Sequence, residues 1–217
     1  MSLCRLEDPV IGLVLFDVGD VLIDLSSKDK EIEAVLEREY GLDPASYERI
    51  AKPAMQRAII GKIGTTDLLQ ALCAACKRDV TIEEMKSNLE SMIGDERPAM
   101  LELVRKVSRC ARVAAFTNTI ELHWRLLQNP QRYRFPALME RIIASHHIGL
   151  AKPMKAAYQA AAQLLGLRPE NILFVDDLPE NVNGATDSGM LGILFEDYPT
   201  LRTALKKLVL GGKPCSA

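Results

Sequence analysis

The sequence predicts an α/β protein built on a doubly wound, mostly parallel sheet. Three observations predict it. Short apolar runs recur along the chain, each rich in β-branched or aromatic residues; stretches of helical periodicity separate them; and prolines stand where those helices should begin. A chain of 217 residues is long for a minimal domain and short for two full ones, so one core domain with a smaller insertion is expected.

The first run, residues 10–17, is continuously apolar and ends in a carboxylate, the pattern of a strand buried on both faces. Residues 112–117, 141–145, 172–176 and 191–195 repeat it. Pro98, Pro153, Pro179 and Pro199 each fit a first helical position, where a missing N–H is harmless. Between the first strand and Pro98 the chain shows caps and helical periodicity but no strand pattern. Asp43-Pro44 opens one helix there and Thr65 another; Thr81 and Glu84 form a capping box for a third, and Gly41, Gly61 and Gly64 supply breaks. The expected organisation is a core of residues 1–25 and 96–210, an all-helical insert of residues 26–95, and a disordered tail of residues 211–217.

Composition narrows the function. Hydrophobic residues at 48% and charged residues at 26% suit an ordinary globular protein. No apolar run approaches the roughly 20 residues of a membrane span, and Glu7 and Asp8 stand where a signal peptide would be apolar, so a cytoplasmic protein is expected. A net charge of −2 offers no footprint for nucleic acid, which points to small polar substrates. The oligomeric state is not legible. Five scattered cysteines argue for reduced thiols rather than a disulfide framework, and Cys73 and Cys76, inside a helical run, read as structural despite their C-x-x-C spacing.

In an open parallel sheet, ligands bind beyond the carboxyl ends of the strands. The residues at those ends are Asp17, Thr117 with Asn118, Lys152 after the third core strand, and Asp176 with Asp177. Several carboxylates suit a hard cation such as Mg²⁺, which binds phosphate oxygens in turn. Adjacent carboxylates such as Asp176 and Asp177 repel one another unless a cation compensates them. Taken alone, Thr117 could equally cap a helix, and Lys152 could lie along the surface.

Phe16-Asp17-Val18-Gly19-Asp20-Val21-Leu22, Phe116-Thr117-Asn118-Thr119, Ala151-Lys152-Pro153 and Phe174-Val175-Asp176-Asp177 together resemble the four motifs of the haloacid dehalogenase superfamily, in order. The helical insert falls where that family places its cap. The form of the first motif resembles the glucose-1-phosphate phosphatase group and the phosphatase domain of epoxide hydrolases. The resemblance implies a Mg²⁺-dependent phosphatase of small phosphate monoesters. Asp17 would be the nucleophile, forming an aspartyl-phosphate. Asp17, the Gly19 carbonyl, Asp176 and Asp177 would hold the metal, Thr117, Asn118 and Lys152 the phosphate, and Lys152 would also offset the crowded negative charge.

One position departs from the pattern: the family's general acid/base, two residues after the nucleophile, is here Gly19. Such a group contributes roughly 10² to 10⁴-fold in rate. The glucose-1-phosphate phosphatase group also carries Gly there, and Asp20 should point away from Asp17. Three other readings stay open: a non-catalytic or weakly active binding protein, a haloacid dehalogenase, whose chemistry needs no metal, and a mutase. Asp24 reads as a residue ordering the loop into the insert. His123, His146 and His147 do not fit metal-ligand spacing, and His146-His147, in the loop before Lys152, reads as a solvated or helix-contacting pair rather than a catalytic one; Arg57, Lys62 and Tyr47 are candidate substrate contacts from the insert.

Overall fold

The structure is a computed structural model in which residues 11–25 and 32–210 are described. The first strand, β1 (Leu13–Phe16), lies at the centre of a five-stranded sheet. All four of its residues are buried because both faces are covered: Leu13 and Leu15 point into one apolar cluster, Val14 and Phe16 into the other. This period-two division is the reason the run carries no polar residue.

The chain then forms β2 (Ile23–Leu25) and five helices, α1 (Ile32–Tyr40), α2 (Pro44–Ser46), α3 (Lys52–Ile59), α4 (Thr65–Ala74) and α5 (Ile82–Ser91), with a π-helical turn at Tyr47–Ala51. After β3 (Ile93–Glu96) and α6 (Pro98–Val107) come β4 (Arg112–Thr117), α7 (Glu121–Leu127), β5 (Ile142–Ala144), α8 (Ser145–Ile148) and α9 (Lys155–Leu165). The last elements are β6 (Ile172–Asp176), α10 (Pro179–Asp187), β7 (Leu191–Leu194) and α11 (Tyr198–Leu205). The sheet order is β5-β4-β1-β6-β7 and every pairing is parallel. Helices α6 and α11 cover the face of Val14 and Phe16; α9 and α10 cover the other. The doubly wound α/β class expected from the sequence is the one observed.

The chain runs outward from β1 through β4 to β5 and returns to β6 on the other side, so the strand order reverses beside β1. That reversal opens a crevice at the carboxyl edge of the sheet. Register aligns the strand ends there: Phe16 pairs with Ala115 on one side and Val175 on the other, and the Asp17 N–H donates to the Val175 carbonyl at 2.8 Å.

Among the described residues between β2 and α6, the regular elements are helical except for one strand. β3 pairs antiparallel with β2. No strand was expected there, because Ile-Gly-Asp-Glu has no apolar alternation. Its pairing depends instead on Gly94, where a Cβ would stand 1.9 Å from the Asp24 carbonyl oxygen. The expected caps are present: the Asp43 carboxylate accepts from the Ser46 N–H at 3.1 Å, and Thr81 and Glu84 close a capping box. The five helices bury an apolar cluster of their own around Leu68, Leu72, Met85 and Leu89, which extends onto Ile120 and Leu122 at the start of α7.

Of the four prolines, Pro98 and Pro179 begin α6 and α10 as expected. Pro199 is the second residue of α11, and Pro153 precedes α9 in a turn entered through a cis Lys152-Pro153 bond. Among the described residues no helix is long and apolar enough to cross a membrane. Cys73 and Cys76 are free thiols, and the Cys76 Sγ, two residues beyond the end of α4, donates back to the Leu72 carbonyl of that helix. Cys110 is disulfide-bonded, so the expectation of reduced thiols fails at that residue; a single crosslink needs only two close Cβ atoms, not a framework of cysteines. The tail 211–217 and residues 1–10 and 26–31 lie outside the described residues.

Candidate active site

Asp17, Asp176 and Lys152 meet at the crevice. The Lys152 Nζ lies 2.6 Å from Asp17 Oδ1 and 2.7 Å from Asp176 Oδ2, and its side chain is 1% exposed. Phe116 and Phe174 flank the ammonium, their ring centroids 5.5 Å and 5.3 Å away. A buried ammonium between two carboxylates is tolerable only as part of such a network, because each ion has given up its water. Burial alone would lower the Lys152 pKa, but the pull of Asp17 and Asp176 outweighs it and the group stays protonated.

Asn118 positions this lysine through the backbone. Its amide donates to the Lys152 carbonyl at 2.8 Å, and its side-chain oxygen accepts from the Lys152 N–H at 2.9 Å. The side-chain amide is thus committed to holding the turn, which leaves the backbone N–H as the donor Asn118 can offer a ligand.

The two adjacent carboxylates have different surroundings. Asp176 is fully buried and saturated: Oδ1 accepts from the Leu178 N–H at 2.9 Å and the Asn181 amide at 3.0 Å, while Oδ2 receives Lys152. Asp177 is half-buried and lines the cleft, and its pKa is raised by burial and then by Asp176. Asp17 is pushed up to about 7, chiefly by burial; Lys152 opposes this and Asp176 adds to it. A carboxylate so placed is a costly anion in need of further positive charge.

Carboxylate oxygens of Asp17, Asp176 and Asp177 lie within 4.8 Å of one another, a set of hard oxygen donors that fits Mg²⁺. Asp17 and Asp177 have free capacity toward the cleft; Asp176 is occupied by protein donors. Gly19 lines the same cleft, and its carbonyl accepts from the Val21 N–H at 2.6 Å.

The cleft has a volume of about 480 Å³, within the range of small-molecule sites. Asp17, Gly19, Thr117, Asn118, Lys152 and Asp177 all line it. Arg57, Lys62 and Tyr47 do not: Arg57 and Tyr47 border separate surface depressions, and Lys62 follows the turn that ends α3. Helical periodicity gave these three polar positions but not the rotation of their helices relative to the sheet. His123, set aside as a metal ligand on its spacing, was not read as part of the cleft. It sits in the cleft with its Nε2 2.9 Å from the Leu89 carbonyl of α5, and burial lowers its pKa. Its placement on α7, which starts just beyond Thr117-Asn118, was the available signal.

At the other end of the first loop, Asp20 has a positive φ of 51° and turns toward Arg97, 3.6 Å away, rather than toward Asp17. Asp24 pairs with the same guanidinium at 2.7 Å, tying β2 to the start of α6.

A family model described as haloacid dehalogenase-like hydrolase matches residues 11–189. The chain belongs to that family. Among solved structures, a haloacid dehalogenase-family enzyme of Bacteroides thetaiotaomicron, bt-2542, in complex with magnesium and inorganic phosphate, superposes with a TM-score of 0.75 at 22% identity, over 88% of this chain and 98% of that one. A 2-haloacid dehalogenase of Pseudomonas syringae pv. Tomato DC3000 aligns with a TM-score of 0.57 at 17% identity, over 96% of this chain and 90% of that one. At these identities the likeness establishes the fold. In sequence, the chain is 41% identical over 59 residues to Phosphatase MT3486 of Mycobacterium tuberculosis (strain CDC 1551 / Oshkosh), a match covering 27% of each protein. It is 31% identical over 67 residues to bifunctional epoxide hydrolase 2 of Rattus norvegicus, 31% of this chain and 12% of that one. The matched segments therefore span well under half of those curated relatives.

Proposed function

We propose that this haloacid dehalogenase-like hydrolase is a Mg²⁺-dependent phosphatase of small phosphate monoesters, with Asp17 as nucleophile. The observation that carries the proposal is the buried Lys152 held between Asp17 and Asp176 at the mouth of a cleft that Asp177 also lines. Three acidic groups crowded against one ammonium leave excess negative charge that suits a cation bridging to an anionic substrate. Two similar proteins lend support: one is named a phosphatase, and the other holds magnesium and inorganic phosphate.

In this reading Lys152 keeps an Asp17 oxygen oriented and neutralises phosphoryl charge, while Thr117 and the Asn118 N–H hold the remaining phosphate oxygens. Asp17, Asp177 and the Gly19 carbonyl would hold Mg²⁺, with Asp176 acting mainly as the anchor of Lys152. The ion supplies charge neutralisation at the transferring group. A free Asp17 oxygen attacks phosphorus, forming an aspartyl-phosphate as the bond to the leaving oxygen breaks. Water then attacks the same phosphorus, releasing inorganic phosphate and restoring the carboxylate. The helices of residues 32–91 act as the cap, and Gly19, lacking a side chain, cannot protonate the leaving group.

The test is phosphate release from a panel of sugar phosphates and p-nitrophenyl phosphate. Activity should need Mg²⁺ and fall at least about 10⁴-fold in Asp17→Asn. Activity that survives either change refutes the mechanism. Chloride released from 2-chloropropionate in the presence of chelator would instead make the protein a dehalogenase.

A further inference from the structure

A second group of donors lies outside the cleft, at the seam between the sheet and the helical segment. Glu121 begins α7, and His146 and His147 lie in α8; one ligand atom from each falls within 4.8 Å of the others. These residues are unrelated in sequence spacing, and only the parallel pairing of β4 with β5 brings the two helix starts together.

The His146 side chain is 5% exposed, and neither of its ring nitrogens has a hydrogen-bond partner. Its Nε2 nevertheless stands 3.2 Å from Glu121 Oε2, without hydrogen-bond alignment. The Glu121 carboxylate and the Thr119 backbone are polar neighbours of the ring, but neither is aligned for a hydrogen bond, and a buried imidazole without an aligned partner is costly in a folded protein. The separation has another meaning: two ligands bound at about 2.0–2.1 Å in a tetrahedral shell stand about 3.3 Å apart. The other Glu121 oxygen is held by the Arg125 Nε at 2.7 Å, which leaves Oε2 aimed at the imidazole. Orientation of a ligand carboxylate by an outer partner is a usual feature of metal sites. His147 is exposed, its ring 4.1 Å from that of His146, and one of its nitrogens lies within 4.8 Å of a ligand atom of both other residues. Trp124 packs against both rings and shields one side.

We infer that Glu121, His146 and His147 form a binding site for a borderline divalent cation such as Zn²⁺ or Co²⁺. Two imidazoles and one carboxylate match that class and not Mg²⁺, which takes oxygen ligands. Three protein ligands leave a position for water. The ion would fasten α7 to α8, where the Ser145 hydroxyl donates to the Ile59 carbonyl of α3 and the His146 carbonyl abuts Gly61. The site is independent of the phosphatase reading.

The test titrates Co²⁺ into the untagged, chelator-treated full chain and follows visible absorption. Nitrogen-ligated, four-coordinate cobalt absorbs far more strongly than oxygen-ligated octahedral cobalt. One equivalent should produce the strong bands in the wild type and in Asp17→Asn, where the acidic site is disabled. His147→Ala should abolish them, and Glu121→Gln should weaken binding about 10-fold. Zn²⁺ should raise the melting temperature of the wild type but not of His147→Ala. Because His147 is exposed, that variant folds even if His146→Ala does not. Absent bands, or bands that persist in both His147→Ala and Glu121→Gln, overturn the inference. So does a near-ultraviolet thiolate band, which would place the ion on Cys73 and Cys76.

Discussion

Along the carboxyl edge of the sheet, candidate groups follow directly on buried strands: Asp17 after β1, Thr117 at the end of β4, Asp176 and Asp177 at the end of β6. Strand register sets their heights and the period-two pleat sets their direction. In the helical segment of residues 32–91 no comparable frame exists. A polar side chain there can face the cleft, the solvent or a neighbouring helix, depending on how its helix is rotated. None of that segment's described residues lines the cleft, and the segment meets a cleft residue where the Leu89 carbonyl contacts His123. The comparison teaches that the sheet builds the chemistry while the helices act through the seam.

The largest expected effect breaks the sheet side. Lys152→Met keeps the bulk but removes the ammonium from between Asp17 and Asp176. Asp176 is fully buried and would keep only the Asn181 and Leu178 donors. Removing one partner of a buried ion network costs about 3–5 kcal/mol, so chemical denaturation should show a loss of that size and phosphate release should fall below detection. A variant of unchanged stability would mean the two aspartates share a proton and need no cation.

The same contrast explains what could be read from the sequence. Of the residues placed at strand ends by their position after an apolar run, Asp17, Thr117, Asn118, Lys152 and Asp177 line the cleft, while Asp176 lies buried behind it, bonded to Lys152. β3 was missed because its pairing rests on the absence of a side chain at Gly94, which carries no hydrophobic pattern. Arg57, Lys62 and Tyr47 could be named only as candidates, because amphipathic periodicity gives the buried face of a helix and not its partner. The Glu121, His146 and His147 group was invisible for a third reason: its members are neighbours only through a β4–β5 pairing that no local spacing encodes.

A smaller effect is expected at the seam. Gly61 ends α3 at a φ of +67°, and a Cβ there would stand 2.2 Å from the His146 carbonyl oxygen, a backbone atom that cannot swing aside. Gly61→Ala should therefore cost about 1–3 kcal/mol in thermal or denaturant melts, from the left-handed backbone and the clash together. If the helices act as a cap through this contact, kcat/KM for sugar phosphates should fall more than that for p-nitrophenyl phosphate, since a larger substrate depends more on closure. Equal losses would reduce Gly61 to a structural spacer.

A different kind of change is expected at Gly19, whose backbone is not left-handed and where the atoms nearest to an added Cβ belong to the Leu25 side chain, the first at 3.0 Å. Gly19→Asp should fold, with Leu25 shifting by a few tenths of an ångström. A carboxyl group there could protonate a leaving oxygen, so kcat should rise up to about 10-fold for alkyl phosphates and stay flat for p-nitrophenyl phosphate, whose leaving group needs no proton. A uniform fall for both substrates would show that the cleft needs the space Gly19 leaves.

The smallest effect is expected from the helical surface itself. Arg57 borders a depression with Arg49, Ile50 and Asp67, and Tyr47 borders another with Leu42 and Asp43, both apart from the sheet edge. Arg57→Ala and Tyr47→Phe remove charge and hydroxyl without opening a buried cavity, so stability should change by no more than about 0.5 kcal/mol. Steady-state KM for each phosphate ester should stay within about twofold of the parent, because uniform binding energy is lost only where a group touches the substrate. A tenfold rise in KM for either variant, with kcat unchanged, would mean that the helices rotate over the cleft when substrate enters, bringing a face that now points to solvent onto the phosphate ester.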